Sequence, residues 1–219
     1  MSRHRSLARR SAALTLLGVL ALAWSAHAAD ADLLPEGADG YEAFNRTVTV
    51  DGGVTHMNNG KGDGLAWLPG KEFSTGTITI EVRGLDQPQR SFVGFAFHGR
   101  DNETFDAVYV RPFNFNAADP VRKSHAIQYI SMPANSWPVL REKFPGKYES
   151  ALTPPPPAEE WVRLRLEVEA KQLRVFVNDA SAPALTIELL NDRLNGRVGL
   201  WVGNNSAGWF RNLAMTSRK

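Results

Sequence analysis

The chain contains no cysteine. That excludes a disulfide framework, a thiolate metal site and a lipid-bearing amino-terminal cysteine. It also has only one long apolar run, Ala12 to Trp24, which is short for a membrane span of about 20 residues. A marked excess of one charge sign is missing too, with 25 Lys and Arg against 23 Asp and Glu. The early run is preceded by Arg3, Arg5, Arg9 and Arg10 and followed by the small-x-small triplet Ala26-His27-Ala28. A basic head, a short apolar stretch and such a site describe a secretory signal peptide spanning residues 1–28. That leader holds four Arg and no acid, so its removal leaves 21 basic against 23 acidic residues. The mature chain therefore lacks the basic patch a nucleic-acid partner needs, and no second apolar run would hold it in a membrane. A periplasmic or secreted location is expected.

Known catalytic signatures are absent as well. There is no His-Glu-x-x-His, no Gly-x-Ser-x-Gly, no phosphate loop and no dinucleotide fingerprint. No strand carries the alternating Glu-x-Asp-x-x-Glu carboxylates used for retaining glycoside hydrolysis. Gly60-Lys-Gly-Asp-Gly64 is glycine-rich, but no helix follows it, so it reads as a turn. Asp101, Asn102 and Glu103 carry oxygen ligands of the calcium type, although such a run also makes an ordinary polar turn.

What the chain does have is period-two alternation. Val162, Leu164, Leu166 and Val168 share one side of an extended segment, with Arg163, Arg165, Glu167 and Glu169 on the other. About eleven such segments, the first at Phe44–Val50, are separated by turn residues such as Asp51-Gly-Gly53, Pro69-Gly70, Asn178-Asp179 and Asn204-Asn-Ser206. Helical periodicity is nearly lacking. An all-β, antiparallel β-sandwich is expected, with residues 29–43 as a linker and 44–219 as one domain. Met132 to Glu160 interrupts the pattern with prolines, and Ser136 to Phe144 has room for one or two helical turns. A stretch of that length is either functional or a cover for a sheet edge.

The polar sides of these strands differ. In Thr77–Arg83, Thr79, Glu81 and Arg83 face outward, an ordinary charge-paired surface. In Ser91–His98 the core row Val93, Phe95 and Phe97 leaves Phe92, Gly94, Ala96 and His98 opposite. In Thr104–Arg111 it leaves Ala107, Tyr109 and Arg111, and in Arg197–Val202 it leaves Gly199 and Trp201. Gln128 joins this set, although the parity of its strand is ambiguous. Small residues hollow a groove, an aromatic ring gives a sugar's C–H face a platform, and arginine or amide groups bond hydroxyls. The interrupted segment offers Trp137, Arg141 and Tyr148 as a lid. Carbohydrate is the expected partner.

Taken in order, Phe92-Val-Gly-Phe-Ala-Phe97, Ala107-Val-Tyr-Val-Arg-Pro112, Trp161, Val175-Phe-Val-Asn178, Gly196-Arg-Val-Gly-Leu200 and Phe210-Arg-Asn-Leu213 resemble the 3-keto-disaccharide hydrolase domain family. The resemblance implies a concanavalin A-like jelly roll. It also implies cleavage of sugars oxidised at C3 by elimination and hydration, with a base, an enolate stabiliser and often a divalent metal. On this chain those roles would fall to His98 as base and Arg111 as stabiliser, with Tyr109, Gln128, Trp201, Trp137 and Arg141 binding substrate. No metal ligands are assigned. Where typical members carry an Asn-Ser-Gly-aliphatic run followed by Phe-Arg, this chain has Ser91-Phe-Val-Gly-Phe-Ala-Phe-His98. Two further readings stay open: a non-catalytic lectin-like module, and a laminin G-like interaction domain whose groove is filled by its own loop.

Overall fold

The computed structural model describes residues 32–218; the expected leader, 1–28, lies outside them. Fourteen strands are found among the described residues, in two seven-stranded antiparallel sheets. The early strands are β1 (Glu42–Phe44), β2 (Val48–Asp51), β3 (Val54–Met57), β4 (Gly64–Phe73) and β5 (Gly76–Arg83). The middle of the chain forms β6 (Val93–Gly99), β7 (Asp106–Val110), β8 (Ile127–Ser131) and β9 (Glu149–Ser150). Then follow β10 (Val162–Val168), β11 (Gln172–Val177), β12 (Leu185–Glu188), β13 (Gly196–Val202) and β14 (Gly208–Ser217). Three short helices, α1 (Pro112–Phe115), α2 (Pro120–Lys123) and α3 (Trp137–Lys143), all begin at or beside proline. Proline suits the first helical turn, where its missing N–H would be unpaired anyway.

The front sheet has the order β1-β4-β13-β6-β7-β8-β9 and the back sheet β12-β11-β10-β5-β14-β3-β2. Alternation sets their register. Ile78, Ile80 and Val82 of β5 pair with Leu166, Leu164 and Val162 of β10, all fully buried between the sheets. Opposite them the front sheet contributes Phe95, Val108, Tyr129 and Leu200 from adjoining strands. Each large apolar side chain so buried is worth about 1.5–3 kcal/mol.

Three expectations need correction. The segment read as one strand from Phe44 to Val50 is two, in different sheets, because Asn45 takes a left-handed conformation (φ 56°) and turns the chain. Pro69-Gly70 is not a turn between strands. The register steps from Gly199↔Trp67 to Arg197↔Glu72, so Leu68 to Lys71 bulge out within β4. The expected linker, from residue 32 onward, is part of the domain. Asp32 accepts the backbone N–H groups of Asn212 and Leu213, and the Tyr41 hydroxyl meets Thr55 Oγ1 at 2.6 Å in the interior. The helical turns expected in Ser136–Phe144 are present as α3.

Candidate functional site

On the face of the front sheet turned away from the core, cross-strand pairing places Leu65, Trp201, Gly94, Tyr109, Gln128 and Glu149 in one row. Trp67, Gly199, Ala96, Ala107 and Ile130 form the next. Gly94 is required at its place. A Cβ there would lie 2.0 Å from the Val108 carbonyl oxygen and 2.5 Å from Tyr109 Cα. Tyr109 and Trp201, on either side of Gly94 in the row, then meet with ring centroids 4.6 Å apart and planes tilted by 39°. Helix α3 and the segment before it fold over this face, leaving a cleft of about 240 Å³. Its walls include Asp63, Phe92, Tyr109, Trp137, Trp201 and Asn204. Trp137 is 45% exposed at the mouth, whereas Trp201 is 3% exposed at the floor.

Arg111 sits beside that floor, 4.9 Å from the Tyr109 ring and 5.7 Å from the Phe92 ring. Three of its five N–H groups are used within the protein. They donate to the His125 carbonyl (2.9 Å), the Tyr109 hydroxyl (2.8 Å) and Gln128 Oε1 (3.2 Å). Gln128 in turn donates Nε2 to the Tyr129 and Tyr148 carbonyls. Both side chains therefore hold the floor together, and Gln128 has both its side-chain oxygen and nitrogen engaged in doing so. Burial pushes the Tyr109 phenol up to about 12, and the same cause draws the Arg111 guanidinium below its usual range.

Arg141 reaches down from α3 to the buried Glu149, donating Nε (3.0 Å) and Nη2 (2.6 Å) to its two oxygens. His125 Nδ1 lies 2.8 Å from the same carboxylate and Arg111 Nη1 3.9 Å from it. Burial draws the His125 imidazole below its ordinary value despite the neighbouring anion. The Arg141 guanidinium also stands 4.9 Å from the Trp137 ring. One bidentate ion pair thus fastens the helix and sets the tryptophan at the mouth.

His98 is elsewhere. Its left-handed backbone (φ 51°) ends the alternation, and the side chain lies against the interior rather than in the cleft. It is 1% exposed, with Nε2 2.8 Å from the Ser74 carbonyl and Nδ1 3.4 Å from Asp106 Oδ2. Asp106 faces the core side of β7 and accepts from the Tyr129 hydroxyl, Asn191 and Arg193. Burial and the Asp106 charge raise the Tyr129 phenol well above its normal range. A catalytic role for His98 therefore has no geometric support. Of the residues named from sequence, Tyr109, Trp201 and Trp137 border the cleft, and Arg111, Gln128 and Arg141 brace it.

The sequence reading missed Asp63. It lies in the glycine-rich turn entering β4, a position that the front-sheet order sets directly beside Trp201 of β13. Burial raises its carboxyl above the ordinary carboxylate range, with the nearby Arg46 only partly offsetting this. Arg46 spends its terminal nitrogens on the carbonyls of Asn45, Gly62 and Gly203. The Trp201 indole Nε1 is directed at Asp63 and, with the Asn204 backbone, acts to lower its carboxyl, although the contact falls short of a full hydrogen bond and leaves the buried N–H without another partner. An acid and an unspent donor thus stand side by side at one end of an aromatic cleft.

The divalent metal that the resemblance implies would need several oxygen or nitrogen ligands brought together. Among the described residues no group of three or more His, Asp or Glu side chains is placed to hold one. Asp63 is the single carboxylate on the cleft wall, and Asp101 is engaged with the backbone of Glu103 and Thr104. The donor set does not fit a metal held by this chain alone.

Residues 23–216 match the 3-keto-alpha-glucoside-1,2-lyase-like domain family. The chain belongs to that family. Its sandwich is the concanavalin A-like lectin/glucanase fold, shared with structures of low sequence identity. Carbohydrate-binding module CBM66 from Bacillus subtilis aligns with TM-score 0.61 at 15% identity, covering 81% of this chain and 96% of that one. A glycosyl hydrolase candidate from Parabacteroides distasonis aligns with TM-score 0.54 at 11% identity, over 84% and 91%. The beta-glucanase of Bacillus licheniformis aligns with TM-score 0.51 at 10% identity, over 85% and 91%. These likenesses concern the fold. No curated protein matches the chain by sequence.

Proposed function

We propose that this domain takes one sugar ring, oxidised at C3, into the cleft and cleaves its glycosidic bond by elimination across C1 and C2. The carrying observation is the cleft itself, with aromatic walls at Trp201, Tyr109 and Trp137 and one carboxylate at its end. At about 240 Å³ it is smaller than the roughly 300–1,000 Å³ of typical ligand sites, which suits a single ring. Stacked aromatics offer a sugar's C–H face an apolar platform, and family membership supplies the reaction class. The ketone at C3 acidifies the C2 proton, so a base and a hydrogen-bond donor suffice to start the elimination. We place the mature domain outside the cytoplasm, on the strength of the basic head, apolar run and Ala26-His27-Ala28 site of its first 28 residues.

The second reading is carbohydrate binding without turnover. It is favoured by one observation: Gln128 and three of the five Arg111 N–H groups are engaged within the protein. Incubating purified protein with p-nitrophenyl 3-keto-α-glucoside separates the two. Release of p-nitrophenol together with an unsaturated 3-keto sugar is the expected result. Saturable binding with no product would leave a lectin-like module, and neither binding nor product would dismiss both readings.

A further inference from the structure

We infer that Asp63 is the base that removes the C2 proton, with the Trp201 indole N–H beside it as donor to the developing enolate oxygen. This rests on the elimination proposed above and assigns its proton transfer to Asp63, a residue outside the set picked from the sequence, with Trp201 of that set as its neighbour. Three observations carry it. Asp63 is the carboxylate of the cleft wall, and no other wall residue carries an acid. Arg46, the cation whose charge acts on it, has its Nη atoms bound to three backbone carbonyls, so it offsets the burial of this carboxylate only in part. Trp201 is 3% exposed, and its Nε1 stands near Asp63 with no bond completed. A buried donor without a full partner is costly, and a ligand oxygen would remove that cost.

The pairing also matches the substrate's own geometry. In a 3-keto sugar the acidic C2–H and the C3 carbonyl belong to neighbouring atoms, so base and donor must be neighbours too. Asp63 takes the proton from C2, and the C–H electron pair moves into a C2–C3 enolate whose oxygen faces Trp201. The enolate then re-forms the C3 carbonyl as C1=C2 forms and the C1–O bond breaks. The leaving oxygen departs with the bonding pair and takes a proton from water, while Asp63 gives its proton back to water. No oxidant, reductant or further reactant is needed. The raised carboxyl of Asp63, a consequence of burial, brings it closer to the basicity a general base requires.

Asp63→Asn tests this directly. The exchange removes a charge that burial already disfavours, so folding is not put at risk by it. With p-nitrophenyl 3-keto-α-glucoside, kcat should fall at least about 100-fold with KM within a few-fold of the unaltered protein. Unchanged kcat, or a loss carried by KM alone, overturns the assignment while leaving the elimination standing. Should the unaltered protein release no p-nitrophenol at all, both the reaction and its base are refuted.

Discussion

The outward faces of the two sheets follow the same alternation and end in opposite states. On the back sheet the row is filled by its own side chains. Arg83 sits 5.0 Å from both the Trp161 and Trp209 rings, and Arg211 sits 4.2 Å from Trp161. Glu81 accepts from Arg211 (2.7 Å) and Arg163 (3.2 Å), and Arg174 pairs with Glu167 at 2.9 Å. On the front sheet, glycine and alanine at positions 94, 96, 107 and 199 leave room, and α3 roofs it over. One face solvates and neutralises its charges; the other buries Glu149 among its partners and leaves Asp63 only partly compensated, with the Trp201 Nε1 short of a full hydrogen bond. Strand parity says which side chains share a face. Whether that face is covered depends on the connections between strands.

The comparison is broken most easily at its carboxylates. Glu149→Ala leaves Arg141, Arg111 and His125 without their common anion and loosens α3. It should lower stability by about 3–5 kcal/mol, as loss of one partner of a buried ion pair does. Denaturant unfolding would read this, and a change below about 1 kcal/mol would mean that the network is not structural. Glu167→Ala on the back face should cost no more than about 0.2–1 kcal/mol, because its arginine partners are partly in water. Equal losses from the two would erase the distinction between the faces.

Between these in scale comes Trp137→Ala. The ring is exposed at the mouth and braced by Arg141, so its loss should spare stability and weaken sugar binding by about 1 kcal/mol, roughly five-fold in Kd. Calorimetric titration would show it; an unchanged Kd would remove Trp137 from the site.

The smallest expected effect is that of pH. Burial lowers His125 and His56 in the folded state. Below about 6.5 the unfolded chain therefore binds more protons than the folded one, and stability must fall as acid is added through that region. His125→Asn should flatten this slope, and thermal unfolding followed from pH 7.5 down to about 5.5 would detect it.

Much of the fold was legible because long strands such as β5 and β10 alternate without interruption. The failures occurred where backbone conformation reverses a side chain. Asn45 split one expected strand and His98 left the expected groove, each through a positive φ that residue type alone does not specify. The aromatic part of the site was legible for the same reason as the strands, since Tyr109 and Trp201 lie mid-strand where parity is reliable. Asp63 was not, because it belongs to a turn whose place beside β13 is set by the order of strands in the sheet. Arg111 and Gln128 were placed on the correct face, but their hydrogen bonds to backbone carbonyls have no sequence signal.

The central claim is that the hollow under α3 receives a sugar ring, and a crystal of the Asp63→Asn protein soaked with methyl 3-keto-α-glucoside addresses it most directly. The ring should be found between Trp201 and Trp137, with its C2 and C3 edge toward residue 63 and the indole N–H of Trp201. A ring bound on the back sheet, or a cleft still vacant at saturating ligand, would contradict the account.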